Sequence, residues 1–215
     1  MKHILKIFLV ISLSLVALKA NNFNQKTYQK KSDEYYKEYK REFDKLPIEN
    51  KKRILDAYYT GLAYDMGYTL AGTRFLENRG MDTRFSNKKS INKNVHKKGY
   101  VTFDCGDYGI NTMTYLKSIG KKTTSLQAHK QACKKLADDR QLNLNMSLKV
   151  YNYGLEKFKT TLLSWNYYNT GRKNIINDRV YQMKGIVMVI EDEVKKNKIQ
   201  DYRLALNDKK YNNYK

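Results

Sequence analysis

The sequence predicts a mainly helical domain with a small irregular or hairpin lobe around residues 81–106. Three observations carry that expectation. The 215 residues include one proline and few β-branched alternations, so little interrupts a helical reading. Apolar side chains recur at steps of three and four through most of 46–193, most clearly at Leu144, Leu148, Tyr151, Leu155 and Phe158. Between 81 and 106 that period vanishes. The chain there is polar and rich in Lys and Asn, with a short alternation at Tyr100–Phe103 that suits a hairpin.

The elements follow in order. Residues 1–20 have the anatomy of a secretory signal: Lys2 and Lys6 are basic, Phe8 to Val16 are apolar, and Ala20 is small. The apolar run falls short of the ~20 residues of a spanning helix, and no later segment is apolar enough to span. Residues 21–45 are charged and read as a basic arm, either a solvated helix or mobile, ahead of a domain at 46–193. Pro47 stands where a helix begins. Ile54, Tyr58 and Leu62 share one face of it, and Gly67 breaks it. Tyr68–Asn78 reads as a second, mostly buried helix stopped by Asn78 and Gly80. Asp107 reads as the N-cap of a helix over Tyr108–Ile119, closed by Gly120. Leu126, His129, Cys133 and Leu136 mark the next helix, and Trp165–Gly171 a helix end and turn. Val180, Met183, Val187 and Ile190 mark the last core helix, and 194–215 is a polar basic tail.

The formal net charge is +21, and removal of Lys2, Lys6 and Lys19 with the signal leaves +18. Such a charge implies an anionic partner. Export and the lack of a nucleic-acid reading motif argue against nucleic acid, whereas peptidoglycan carboxylates and anionic lipids both fit. In an oxidising compartment Cys105 and Cys133 predict one disulfide; the alternative is two separate buried thiols. The cysteines lack CxxC spacing, and His96 and His129 lack metal-ligand spacing, so no metal or cofactor is expected.

Glu77 closes an apolar helix after Phe75 and Leu76. A carboxyl held among apolar groups is pushed up in pKa, because burial disfavours the charged form. One that stays protonated near neutral pH can donate to a glycosidic oxygen. Taken alone, Glu77 reads first as a solvent-facing acid at a helix terminus. Its companions along the chain add to the reading: FLENRG at 75–80, DYGINTMT at 107–114, WNYYNTG at 165–171, and Tyr181 in NDRVYQMKGIV.

This order resembles the SLT-type domain of lytic transglycosylases, in the lysozyme-like superfamily, over about 57–190. The resemblance implies an α+β lysozyme-like fold with Glu77 as catalytic acid and base. It implies substrate contacts from Gly109, Thr112, Tyr168, Asn169, Gly171 and Tyr181. It also implies cleavage of the MurNAc–GlcNAc bond of peptidoglycan in the periplasm, with a 1,6-anhydro product and no cofactor. Such enzymes often serve secretion or conjugation machines. The chain departs from the pattern at Asn78 (usually Ser), Thr112 (usually Gln) and Tyr167 (usually Ala). Asp82, Asp104 and Asp107 are the candidates for a second carboxylate, and no motif fixes any of them near Glu77. Two alternatives stand beside this reading: a wall-binding or secretion-assembly protein without catalysis, and a hydrolytic lysozyme using Glu77 with an Asp from 82–107.

Overall fold

The computed structural model describes residues 24–171 and 176–195. The segment read as a signal at 1–20 and the tail beyond Lys195 lie outside them. Among the described residues are eight helices and a three-stranded antiparallel sheet. The helices are α1 (Gln25–Lys45), α2 (Ile48–Leu62), α3 (Gly67–Asn78), α4 (Thr112–Ser118), α5 (Leu126–Asp138), α6 (Arg140–Phe158), α7 (Thr161–Thr170) and α8 (Asp178–Lys195). The strands are β1 (Asn92–Val95), β2 (Val101–Cys105) and β3 (Ile110–Asn111), in spatial order β1-β2-β3. No helix among the described residues is long and apolar enough to cross a membrane.

The structure moves the edge of the packed body forward from residue 46 to Gln25. The segment read as an arm is helix α1, with Tyr28, Ser32, Tyr39 and Phe43 buried along one face. Its apolar face is built from aromatic residues spaced four and seven apart, a stripe that the surrounding lysines mask in any average of polarity. It packs along α8. The approach is close at Gly185, where a Cβ would meet the Tyr35 Cβ at 2.7 Å.

Among the described residues the core forms two clusters. The body cluster gathers α1, α2, α3, α6, α7 and α8 around Phe75, Tyr151 and Ile190. The lobe cluster gathers the sheet, α4, α5 and the start of α6 around Cys105, Leu116 and Leu136. Tyr168 packs against both. Cys105 and Cys133 form a disulfide that fastens β2 to α5.

One helix start differs from the sequence reading. Asp107 is not an N-cap. Gly106 and Gly109 both have positive φ, so 106–109 is a turn, and Ile110–Asn111 then pair with Asp104–Cys105 as β3. The helix begins at Thr112, where the Asn111 side chain accepts from the Met113 N–H. Asp107 instead pairs with the buried Arg74 at 2.8 Å.

Candidate active site

A cleft of roughly 700 Å³ runs between lobe and body, and Glu77 lies in its wall. The last turn of α3 places Glu77, and the helix ends at Arg79 in the left-handed conformation. Arg79 offsets that strain by donating to Glu42 at 2.8 Å and stacking over Phe75. The Glu77 side chain is only 16% exposed. Burial pushes its carboxyl up to about 6; Arg179 pulls it down, Asp104 pushes it up and Arg79 pulls it down. One carboxylate oxygen, Oε1, is ion-paired with Arg179.

The carboxylate rests against Gly109. A Cβ there would meet Glu77 Cδ and Cγ at 2.8 Å, and φ is +61°. Glycine is therefore required both by space and by backbone conformation. The turn is held from two sides. Asn78 Nδ2 donates to the Asp107 carbonyl at 2.9 Å. The Tyr168 hydroxyl donates to the Tyr108 carbonyl at 2.7 Å, and its ring stacks on Tyr151 with centroids 4.1 Å apart. Asn78 thus has a structural reason: its amide reaches across from α3 to anchor the turn that carries Gly109.

Of the residues marked by sequence, the structure brings Glu77, Gly109, Tyr168, Asn169 and Gly171 together along the cleft. Gly171 caps α7 in the left-handed conformation and donates its N–H to the Tyr167 carbonyl at 2.8 Å. Two residues are not brought there. Thr112 is fully buried inside the lobe; its hydroxyl accepts from the Phe103 N–H at 3.0 Å and hydrogen-bonds His129 Nδ1 at 2.8 Å. Asn111 and Thr114 face the cleft from that segment instead. Tyr181 packs against Tyr28 of α1, with Lys31 4.9 Å above its ring. Residues two apart on a helix point about 200° apart. Arg179 meets Glu77, so Tyr181 faces away.

The candidate second carboxylates separate cleanly. Asp82 is bound by Arg84, Nε to Oδ2 at 2.8 Å, which holds it down at about 2. Asp107 is bound by Arg74 and the Thr83 hydroxyl. Asp104 lines the cleft with Glu77. It is held by neutral amides, Asn111 Nδ2 to Oδ1 and Asn94 Nδ2 to Oδ2, both at 2.7 Å. Burial pushes its carboxyl up, and the two amides pull it down.

The sequence offers Asp104 as a candidate without placing it and does not mark Arg179. Both left a signal. Strand side chains alternate, so a Cys105 turned into the lobe core forces Asp104 to the other face. Arg179 stands four residues before Met183, on the flank of the predicted core face of the last helix. Lys117, Lys149, Tyr153 and Tyr167 also line the cleft, so cationic and aromatic side chains share it with Glu77 and Asp104. No protein-family model, no curated protein and no solved structure matches the chain.

Proposed function

We propose that this chain cuts the glycan strands of peptidoglycan as a lytic transglycosylase of lysozyme-like fold, with Glu77 as acid and then base. The observation that carries the reading is a buried carboxyl, raised to about 6, in the wall of an open cleft of roughly 700 Å³. An acid of that pKa retains its proton in weakly acidic surroundings and can still release it in a transition state.

The reaction has two steps. The Glu77 O–H proton passes to the glycosidic oxygen, and the C1–O bond breaks with its electron pair moving to that oxygen. The acetamido carbonyl oxygen of the muramic sugar closes onto C1, giving a cyclic cation. The 6-hydroxyl oxygen of the same ring then attacks C1. The C1–acetamido bond breaks, and the hydroxyl proton returns to the Glu77 carboxylate. The product is a 1,6-anhydro end, formed without water or cofactor. The attacking hydroxyl is tethered to the reacting ring, which gives it a high effective concentration.

Arg179 stabilises the carboxylate that exists between the two steps. Gly109 lets the backbone lie against it. The aromatic and cationic side chains of the cleft suit pyranose faces and the carboxylates of the wall peptides. In this reading the chain acts in the periplasm, where a disulfide such as Cys105–Cys133 persists.

A second reading, hydrolysis, is favoured by one observation: Asp104 shares the cleft with Glu77. Two carboxylates flanking the bond are the usual equipment of glycoside hydrolases. Digestion of purified peptidoglycan followed by mass analysis separates the two. Anhydro fragments one water lighter than the reducing ones are expected, and predominance of reducing fragments selects hydrolysis. Glu77→Gln should lower the rate of either reaction about 10²–10⁴-fold or more, the usual contribution of a general acid. A folded Glu77→Gln protein that digests normally overturns the proposal.

A further inference from the structure

We infer that Asp104 is a second catalytic carboxylate, which receives the N–H of the substrate's 2-acetamido group as that group closes onto the anomeric carbon. The inference rests on the glycan-cutting reading and supplies what that mechanism lacks, a partner for the positive charge of the cyclic cation.

The placement follows from the strand. Cys105 is fully buried and bridged to Cys133, and Phe103 packs against the same lobe cluster. Alternation therefore turns Asp104 to the opposite face, where it lines the same cleft as Glu77 and its charge pushes the Glu77 carboxyl up. Its neighbours on both sides fix its orientation. Asn111 is its register partner on β3, and Asn94 reaches it from β1.

The chemistry follows from what holds it. A carboxylate oxygen has two lone pairs, and each Asp104 oxygen receives one amide N–H at 2.7 Å. Each keeps acceptor capacity for a substrate donor. Amides carry no charge, so the negative charge of Asp104 is not cancelled by its holders. Asp82 and Asp107 differ on this point, since each is paired with a guanidinium. A fixed, uncancelled carboxylate in a cleft stabilises positive charge that appears during reaction without having to reorganise.

When the acetamido oxygen attacks C1, its electron pair forms the new C–O bond and positive charge spreads onto the amide nitrogen. The N–H becomes a stronger donor, and Asp104 accepts it without covalent change. When the 6-hydroxyl displaces the acetamido oxygen, the charge leaves the nitrogen and the hydrogen bond weakens. The interaction is thus strongest at the cation and weak in substrate and product, which is the condition for lowering the barrier.

The test compares two ligands by calorimetry on the full chain with Asp104→Asn, and digestion on the same proteins. One ligand is a chitobiose thiazoline, the sulfur analogue of the cyclised acetamido group. The other is chitotriose, in which the group is open. We expect Asp104→Asn to weaken the thiazoline at least tenfold and chitotriose less than threefold, with digestion slowed at least a hundredfold. A loss confined to sheet structure would weaken both ligands alike, and that equal loss overturns the role of Asp104. Should Asp104→Asn digest and bind the thiazoline like wild type, Asp104 is not catalytic while the glycan-cutting reading stands. Failure of the wild-type chain to bind either ligand or to digest peptidoglycan overturns both. Asn94→Ala, which removes one holding amide and keeps the carboxylate, should weaken the thiazoline by less than Asp104→Asn does; a loss equal to that of Asp104→Asn places the effect in the sheet.

Discussion

Two arginine–carboxylate pairs meet the same turn and are built for opposite ends. In the first, Arg74 is 2% exposed and pairs with Asp107 at 2.8 Å. Its guanidinium also donates to the Met81 carbonyl at 2.6 Å and the Asp107 carbonyl at 3.1 Å, and Asp107 accepts from the Thr83 hydroxyl. In the second, Arg179 meets one oxygen of Glu77, and the carboxyl otherwise faces Gly109 and the cleft. Burial wins over Arg179 there, and the acid is raised to about 6. A pair closed by further hydrogen bonds fixes a fold. A pair left partly unsatisfied in a cleft preserves a proton that can be moved.

The largest effect expected from this contrast is on stability. Asp107→Asn leaves the Arg74 charge buried without its partner and should cost about 3–5 kcal/mol, as breaking buried pairs does. Urea unfolding at pH 7 measures it; a loss under 1 kcal/mol would show that the carbonyl acceptors alone satisfy Arg74. The disulfide comes next, because Cys105 leads directly into the turn at 106–109. Replacing both cysteines by alanine opens a 28-residue separation and should cost about 3–4 kcal/mol in the chain-entropy model.

Glu77→Gln has the opposite sign. The folded pKa of about 6 exceeds the ordinary value of 4.5, so folding disfavours the ionised form. The stability contributed by the protonated acid is fully present below the ordinary value and is lost as pH rises through about 6. At pH 7 and above the wild type carries a burden on the order of 2 kcal/mol that glutamine removes. Unfolding curves at pH 5 and pH 8 should therefore converge at the lower pH and favour the variant at the higher. A variant less stable than wild type at pH 8 would mean that Arg179 outweighs burial.

These contrasts also explain how far the sequence could be read. Helices α2, α3, α5, α6 and α8 were legible because their apolar residues repeat at helical steps. So was the disulfide, from two cysteines behind a segment read as a secretory signal. Helix α1 was hidden by its lysines, since its buried stripe is tyrosine and phenylalanine among charges. The turn at 106–109 was misread because Asp107 before a mixed apolar segment imitates an N-cap. The buried Arg74, thirty-three positions away in the chain, and the Thr83 hydroxyl claim that carboxylate. In the candidate site, Glu77, Gly109 and the segment ending at Gly171 were visible as local motifs. The pairing of Glu77 with Arg179 spans 102 positions and depends on how α8 is rotated, which local pattern does not encode.

Arg179→Gln sharpens the comparison without abolishing the site. Arg179 pulls the Glu77 carboxyl down, so its removal should raise the pKa by about one unit. Activity that requires protonated Glu77 falls as pH rises through about 6 in the wild type. In the variant that falling limb should move toward neutral pH, and the rate below pH 5 should drop, because the carboxylate formed between the two steps loses its counter-charge. A rate-versus-pH series on purified peptidoglycan checks it, and a limb that stays in place would mean that another group controls it. Arg179→Lys should leave the limb near its original position.

The smallest expected effect separates the two residues that helix α8 offers. Resemblance of the sequence to the lytic transglycosylases puts Tyr181 beside the catalytic acid. The structure puts it on the other face of the helix, between Tyr28 and Lys31 of α1. A step of two residues turns a helix by about 200°, so Arg179 and Tyr181 cannot both face Glu77 on one regular helix. Tyr181→Phe keeps the ring that packs against α1 and removes only the hydroxyl. It should change the digestion rate less than twofold and leave the pH limb unmoved, with stability altered by about 1 kcal/mol at most. A tenfold or larger loss of rate at unchanged stability would mean that α8 rotates during catalysis to bring Tyr181 to the acid. The Arg179–Glu77 pair would then belong to a resting arrangement that opens before reaction, and the unmoved limb predicted for Arg179→Lys would fail with it.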